Sequence, residues 1–163
     1  MAALRWLVCH TRPRCEKKFA ALLAAEKFTH YLALVESIRR YGARTKRFTK
    51  PLFPGYVFAQ LPAAQTSRLY QQDLLARIIV IEDEAKFLRQ LADVRAIVAS
   101  GFELTLMPLL TKGRRARIIG GALHGLEGLI DDPANPQGVI LAVDVLQQGL
   151  LVKIPAEHLQ PLP

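Results

Sequence analysis

The sequence contains little cysteine and no long hydrophobic segment. Cys9 and Cys15 are the two cysteines among 163 residues, too few for the disulfide framework of a small secreted domain. No stretch of the sequence reaches the roughly 18 apolar residues that a membrane-spanning helix needs. The apolar part of residues 1–10 is also shorter than the core of a signal peptide. We therefore expect a cytoplasmic protein that does not enter a membrane.

The motifs of common catalytic and metal sites are missing as well. The sequence has neither a G-x-S-x-G nucleophile motif nor a Walker phosphate-binding motif. Cys9, His10, Cys15 and His30 form the one cluster of metal-ligand residue types, but they lack the CxxC spacing of a zinc site. Cysteines in the hydrophobic core are the favoured interpretation. We expect no enzyme activity, no metal and no cofactor, with a metal- or thiol-dependent enzyme as a competing hypothesis.

What the sequence does have is positive charge, concentrated at one end. The formal net charge is +8, yet residues 1–50 carry twelve Lys and Arg against three acids, whereas residues 51–163 carry ten against eleven. A basic surface attracts polyanions, and binding to them then depends on salt. This concentration favours a nucleic-acid-binding face over a surface that only keeps the protein soluble.

Apolar periodicity in residues 1–102 predicts an α/β sandwich, in which helices cover a small, mostly antiparallel sheet. The predicted order is β-α-β-β-α-β-α, with a hairpin tip at Tyr41-Gly42 and a bend near Pro51–Gly55. The predicted strands and helices are a strand over Leu4–His10, a helix capped by Thr11, a strand over Tyr31–Ile38, a returning strand to Gln60, a short helix around Ala63–Gln72, a buried strand over Arg77–Glu82 and a helix from Asp83 or Glu84 to about Ser100.

The pattern changes after residue 102. Residues 103–112 contain a proline and have no clear periodicity, so we expect a linker there. Residues 113–163 alternate short apolar runs with Gly and Pro turns, which is typical of a small β-barrel. The fold class is therefore α+β, with an N-terminal α/β domain (1–102) and a C-terminal β-barrel domain (113–163).

Two blocks of residues resemble a known family. The first block comprises Trp6, the basic helix from Pro13 and the run Pro51-Leu52-Phe53-Pro54-Gly55-Tyr56-Val57-Phe58, and it resembles the N-terminal (NGN) domain of NusG-type transcription factors. The second block resembles the SH3-like KOW domain of the same factors, through Gly113, Arg117, Ile118, Gly121, Leu123, Gly125, Gly128 and Ile130. Together they are most similar to specialised NusG paralogues, including RfaH-like antiterminators.

The resemblance implies a transcription elongation or antitermination factor that regulates transcription and is not an enzyme. Such a protein binds RNA polymerase through its N-terminal domain, bridges the DNA cleft beside non-template or upstream DNA, and modulates pausing or termination. Its KOW domain recruits a second protein, such as a ribosomal protein or a termination factor. We expect a monomer, and we expect strands rather than docked helices in the C-terminal domain, because its β-branched residues favour strands and its glycines oppose long helices.

The resemblance also implies site residues, each with a simpler alternative. The polymerase-binding candidates are Leu52, Phe53, Tyr56 and Phe58, although aromatic residues on a strand are often core. Gln65, Thr66 and Ser67 occupy the place of a motif that contacts the second jaw of the polymerase, or they simply begin a helix. The nucleic-acid-binding candidates, which are otherwise a solvated surface, are His10, Arg12, Arg14, Lys17, Lys18, Arg39, Arg40 and Arg44.

A functional alternative is a ribosome-associated or RNA-binding KOW protein whose basic N-terminal domain binds RNA. The feature that discriminates between the two functions is the run Pro51–Phe58, whereas the C-terminal segment indicates its own kind of partner. It has five bases and five acids from Lys112 onward and no aromatic residue after Phe102. This composition argues against base stacking as the main task of the segment and favours a protein partner.

Overall fold

The computed structural model describes residues 3–110 and 112–163. Met1, Ala2 and Thr111, which the sequence assigns to the first domain and to the linker, lie outside the described residues. The chain divides into two compact units, one ending at Glu84 and one spanning Ala85–Pro163. This division falls earlier than the predicted end of the first domain at residue 102.

The first unit is built on a four-stranded antiparallel sheet in the order β2-β5-β1-β6, with a separate two-stranded hairpin, β3-β4. The predicted mixed α/β arrangement is thereby confirmed for this unit. Its elements are β1 (Leu4–Thr11), α1 (Glu16–Ala25), β2 (Thr29–Tyr31), β3 (Leu34–Tyr41), β4 (Arg44–Pro51), β5 (Tyr56–Pro62), a 3₁₀ segment (Ala63–Tyr70) and β6 (Leu75–Val80).

Helix α1 packs against one face of this sheet. Alternate residues of a strand point to the same face, so Leu7 of β1 and Val57 of β5 lie together on the helix side. Phe19 and Leu23 of α1 pack against them and are fully buried. Phe58 follows Val57 in β5 and therefore points to the opposite face.

Three expectations for this unit are wrong in detail. Helix α1 begins at Glu16 rather than near Thr11, because Arg14 has a φ of +62°, outside the helical region. The strand predicted over Tyr31–Ile38 is divided between β2 and β3. The predicted buried strand over Arg77–Glu82 is the outer strand β6, ending at Val80, which is 67% exposed.

The second unit contains a helix and a six-stranded antiparallel sheet in the order β12-β8-β9-β10-β11-β7. The β-rich character predicted for the C-terminal part is confirmed, while closure into an SH3-like barrel stays a prediction. The elements are α2 (Glu84–Ser100, beginning at the last residue of the first unit), β7 (Leu104–Pro108), β8 (Arg115–Ile118), β9 (Glu127–Ile130), β10 (Gly138–Val143), β11 (Gln148–Lys153) and β12 (Leu159–Pro161).

Strand β7 occupies the segment in which a linker is predicted. It pairs with β11, so that Leu104 lies opposite Val152 and Leu106 lies opposite Leu150. The helical prediction for α2 agrees closely with the structure. Phe87, Leu91, Val94 and Ile97 recur at helical spacing and are buried. Leu88 is 42% exposed, and Val98 is half-buried.

Candidate functional site

The Pro54-Gly55-Tyr56 sequence lies at the bend where β4 ends and β5 begins. Leu52 N–H donates to Ala33 O at 2.8 Å, and Tyr56 N–H donates to Phe53 O at 3.1 Å, which closes the bend before the new strand starts. Gly55 has a φ of +87°, a conformation that glycine adopts without strain. The bend predicted near Pro51–Gly55 is therefore present, and it places Tyr56 at the start of β5.

Tyr56 forms a surface feature with His10. The two residues are directly opposite each other in the β1–β5 pairing. Their rings stack with centroids 4.8 Å apart and planes 18° from parallel. Both residues are half-buried. His10, predicted as a nucleic-acid contact, is thus part of the Tyr56 surface.

The other three candidates for polymerase binding are buried. Phe58 is 1% exposed, Phe53 is 1% exposed and Leu52 is 9% exposed. The rings of Phe53 and Phe58 meet edge-to-face at 6.5 Å, and Tyr31 stacks on Phe58 at 6.5 Å. Tyr56 is therefore the member of the predicted set that is accessible in this structure, and Phe53 and Phe58 are core residues that support the bend.

Sequence reasoning missed one residue beside Tyr56. Glu16, in the first turn of α1, is 7% exposed, and its Oε2 accepts the N–H of Gly55 at 3.1 Å. The carbonyl of Gly55 accepts the N–H of Thr11 at 2.8 Å. The one signal in the sequence is weak: Glu16 is the single acid in the otherwise basic segment 12–18.

The predicted nucleic-acid residues near α1 divide into two kinds. Arg12 is ion-paired with Asp73 at 2.8 Å, and Lys17 Nζ donates to Thr49 O at 2.6 Å and to Thr49 Oγ1 at 3.1 Å. Lys17 therefore ties α1 to β4, which gives it an intramolecular role. Arg14 and Lys18 are exposed.

The hairpin β3-β4 carries the remaining basic candidates. The register pairs Arg39 with Lys46 and Tyr41 with Arg44, which places these four side chains on one face of the ribbon. On this face the Arg39 guanidinium also lies 5.3 Å from the centre of the Phe48 ring. Arg40 points to the other face, so the hairpin candidates do not form one set.

The proposed second-jaw residues lie in the 3₁₀ segment Ala63–Tyr70. Gln65 and Thr66 are half-buried and Ser67 is exposed. Thr66 Oγ1 donates to Ala63 O at 2.9 Å, which stabilises the start of the segment. Ser67 is therefore the accessible member of this group.

Three of the KOW-like residues, Gly121, Leu123 and Gly125, lie in the turn between β8 and β9. The N–H of Gly125 donates to Ile118 O at 2.7 Å, and the N–H of Ile118 donates to Leu126 O at 2.8 Å. Gly121 and Gly125 have φ values of +71° and +94°, as expected for tight turns. The remaining members are Gly113 just before β8, Arg117, which is ion-paired with Glu127 at 3.6 Å, and Gly128 within β9.

Glycine is needed at position 128 for close packing and not for a turn. A Cβ atom at this position would lie 2.4 Å from Val139 Cγ1 and 2.5 Å from Ile140 O. Glycine thus allows β9 and β10 to approach each other closely.

The possible metal and thiol chemistry has no geometric support in the described part of the chain. Within residues 3–110 and 112–163, no cluster of three or more His, Cys, Asp or Glu is arranged to hold a metal ion. Cys9 is fully buried, and burial raises the pKa of its thiol to about 12, which disfavours the reactive thiolate.

None of the described helices is long and apolar enough to span a membrane.

Comparison with known families supplies the decisive observation. Residues 4–112, about two thirds of the chain, match the NusG family, described as "Transcription termination factor nusG". The chain belongs to the NusG family. NusG-family proteins are transcription factors rather than enzymes, and they bind RNA polymerase. The match covers the first unit together with α2 and β7, while β8–β12 lie beyond it. No curated protein sequence matches the chain at a significant level.

Proposed function

We propose that this NusG-family protein is a specialised, RfaH-like elongation or antitermination factor that binds RNA polymerase through its N-terminal domain and modulates pausing or termination. The domains are an NGN domain (1–102) and a KOW domain (113–163). One observation carries the proposal. Tyr56 is an accessible aromatic residue at a hydrogen-bonded bend, and it lies within the residues that match the family.

The position of Tyr56 suits a protein–protein contact. Half-buried aromatic residues next to a rigid bend offer a large contact area at a small entropic cost, and tyrosine is enriched at binding hot spots. His10 extends this surface through the stacked pair. We therefore assign polymerase binding to the Tyr56 surface and leave the buried Phe53 and Phe58 to the core of the domain.

The basic side of the same domain suits DNA in the polymerase cleft. Arg14 just before α1 and Lys18 within it, together with Arg39 and Arg44 on the hairpin, are exposed cations in the part of the chain that carries the excess charge. Phosphate contacts need only positive charge within reach, so these residues suit non-template or upstream DNA without a sequence preference. Ser67 is the accessible candidate for the second jaw of the polymerase.

The C-terminal sheet suits a protein partner better than a nucleic acid. Its bases and acids balance, and Arg115 and Arg117 lie 3.9 Å and 3.6 Å from carboxylate oxygens of Glu127, so part of its positive charge is neutralised locally. We propose that it recruits a ribosomal protein or a termination factor.

A polymerase pull-down with the wild-type chain and Tyr56→Ala tests the proposal. We expect Tyr56→Ala to lose most of the polymerase binding and, in a transcription assay, the effect on pausing. Tyr70→Ala is a matched control, because Tyr70 is 48% exposed and belongs to no proposed contact. Unchanged polymerase binding by Tyr56→Ala, together with RNA binding by the wild type, would instead support the ribosome-associated or RNA-binding alternative.

A further inference from the structure

We propose that Glu16 is a positioning residue of the Tyr56 surface. Its carboxylate fixes the Gly55 N–H and, through the backbone of Gly55, the direction of Tyr56. This inference rests on the proposed function of Tyr56 as a polymerase contact. Glu16 lies in α1, whereas Gly55 lies at the bend and Tyr56 begins β5.

The first support is the burial of Glu16. Glu16 is 7% exposed, and a carboxylate in a protein interior is costly unless hydrogen bonds replace the lost water. Oε2 of Glu16 accepts the N–H of Gly55 at 3.1 Å, across 39 residues of sequence. The position of Glu16 in the first turn of α1 also favours the negative charge, because the helix dipole is positive there. The carboxylate is thus held in place and directed at the bend.

The second support is that Gly55 is held through both its backbone N–H and its carbonyl. Glu16 accepts its N–H, and its carbonyl accepts the N–H of Thr11, which is 2% exposed. Gly55 has a left-handed conformation, and this one residue turns the chain from the bend into β5. Losing the Glu16 bond frees the Pro54–Gly55 peptide and leaves the Gly55 backbone, which directs Tyr56, held by the Thr11 bond alone.

The third support is the tight space around the bend. A Cβ atom on Gly55 would lie 3.3 Å from Cδ2 and Nε2 of His10, and the same His10 ring stacks on Tyr56. A shift of the Gly55 backbone therefore disturbs the His10–Tyr56 stack. A contact residue that is ordered before binding loses less conformational entropy on binding, so loosening it weakens the complex.

Affinity for RNA polymerase, measured with the full chain, tests the role. The decisive pair is Glu16→Asp and Glu16→Gln. Aspartate keeps the charge at the helix N-terminus but is one methylene too short to reach Gly55, whereas glutamine loses the charge but keeps an oxygen acceptor at full length. We expect Glu16→Asp to bind polymerase about 3- to 10-fold more weakly, as for the loss of order at one side chain, and Glu16→Gln to bind nearly as well as the wild type.

Two further readouts separate positioning from general stability. The amide resonance of Gly55 in an NMR spectrum is expected to move in Glu16→Asp, with faster hydrogen exchange at that amide, while the resonances of β6 stay in place. In a Tyr56→Ala background, Glu16→Asp is expected to cause no additional loss of affinity, because its effect passes through Tyr56. Glu26→Asp, one residue after the end of α1, is the matched control and is expected to bind polymerase normally.

The outcomes are distinguishable. If Tyr56→Ala weakens polymerase binding but Glu16→Asp does not, the positioning role is refuted and the proposed function stands. A greater loss of affinity in Glu16→Gln than in Glu16→Asp would also refute it, since charge rather than reach would then matter. If Tyr56→Ala leaves binding unchanged, the proposed function and this inference both fail.

Discussion

Phe58 and Tyr56 lie two residues apart on β5, yet the structure predicts opposite effects when each is replaced by alanine. Phe58 is 1% exposed and contacts the rings of Phe53 and Tyr31. Removing such a side chain loses its burial and leaves a cavity, at a cost of about 3–5 kcal/mol. Tyr56 is half-buried at the edge of the same face, so Tyr56→Ala is expected to cost clearly less stability.

The chain contains a convenient probe for this experiment. Trp6 is its one tryptophan, and it lies 9% exposed in β1 of the first unit. Urea unfolding followed by the fluorescence of Trp6 therefore reports on the unit that contains both mutations. We expect a large decrease in the unfolding free energy for Phe58→Ala with polymerase binding retained at low temperature, and the converse for Tyr56→Ala.

Phe58→Leu and Tyr56→Phe are the controls, because leucine fills part of the cavity and phenylalanine keeps a ring to stack on His10. Our assignment of Phe58 to the core would be refuted if Phe58→Ala unfolded within about 1 kcal/mol of the wild type while polymerase binding disappeared. That result would mean that Phe58 is exposed in the functional conformation.

Three further predictions concern other parts of the chain. Gly128→Ala is expected to destabilise the C-terminal sheet by about 1–3 kcal/mol, since the added methyl group overlaps Val139 and the backbone of Ile140; urea unfolding measures this, and a change near zero would contradict the close approach of β9 and β10. The pKa of the Asp144 carboxyl is lowered, mainly by the hydrogen bond from Lys86. The ionised carboxylate therefore stabilises the folded protein above the ordinary pKa of 3.8, and this stabilisation is lost as the pH falls below that value. Asp144→Asn should therefore show a smaller loss of stability on acidification than the wild type, and an identical pH dependence would exclude the contribution. Iodoacetamide at mildly alkaline pH is expected to modify Cys15 well before Cys9, because burial raises the pKa of Cys9 to about 12; mass spectrometry of the digested protein identifies the labelled residue, and faster labelling of Cys9 would contradict its burial.

Local patterns in the sequence predict much of this fold correctly. The helical spacing of Phe87, Leu91, Val94 and Ile97 identifies α2 and its buried face, because period and burial agree along the whole element. The glycine at the hairpin tip and the prolines around residues 51–54 mark the turn between β3 and β4 and the bend before β5 for the same local reason.

The errors occur where distant contacts decide the structure. Residues 104–108 lack a periodic pattern, and their strand exists because β11 offers a free edge. The apolar run that forms β6 suggests a buried strand, but its exposure depends on its position at the outside of the sheet. Likewise, the role of Glu16 depends on a hydrogen bond across 39 residues, which no local pattern contains.

The pairing of β7 with β11 has a practical consequence for dividing this protein. A fragment that starts at residue 113 would leave out β7 and expose the backbone N–H and C=O groups along that side of β11, next to the apolar residues Leu150 and Leu151. Exposed strand edges of this kind pair readily with other chains and promote aggregation. A fragment that begins at about residue 103 keeps the six strands together and is the better choice for studying the C-terminal sheet alone.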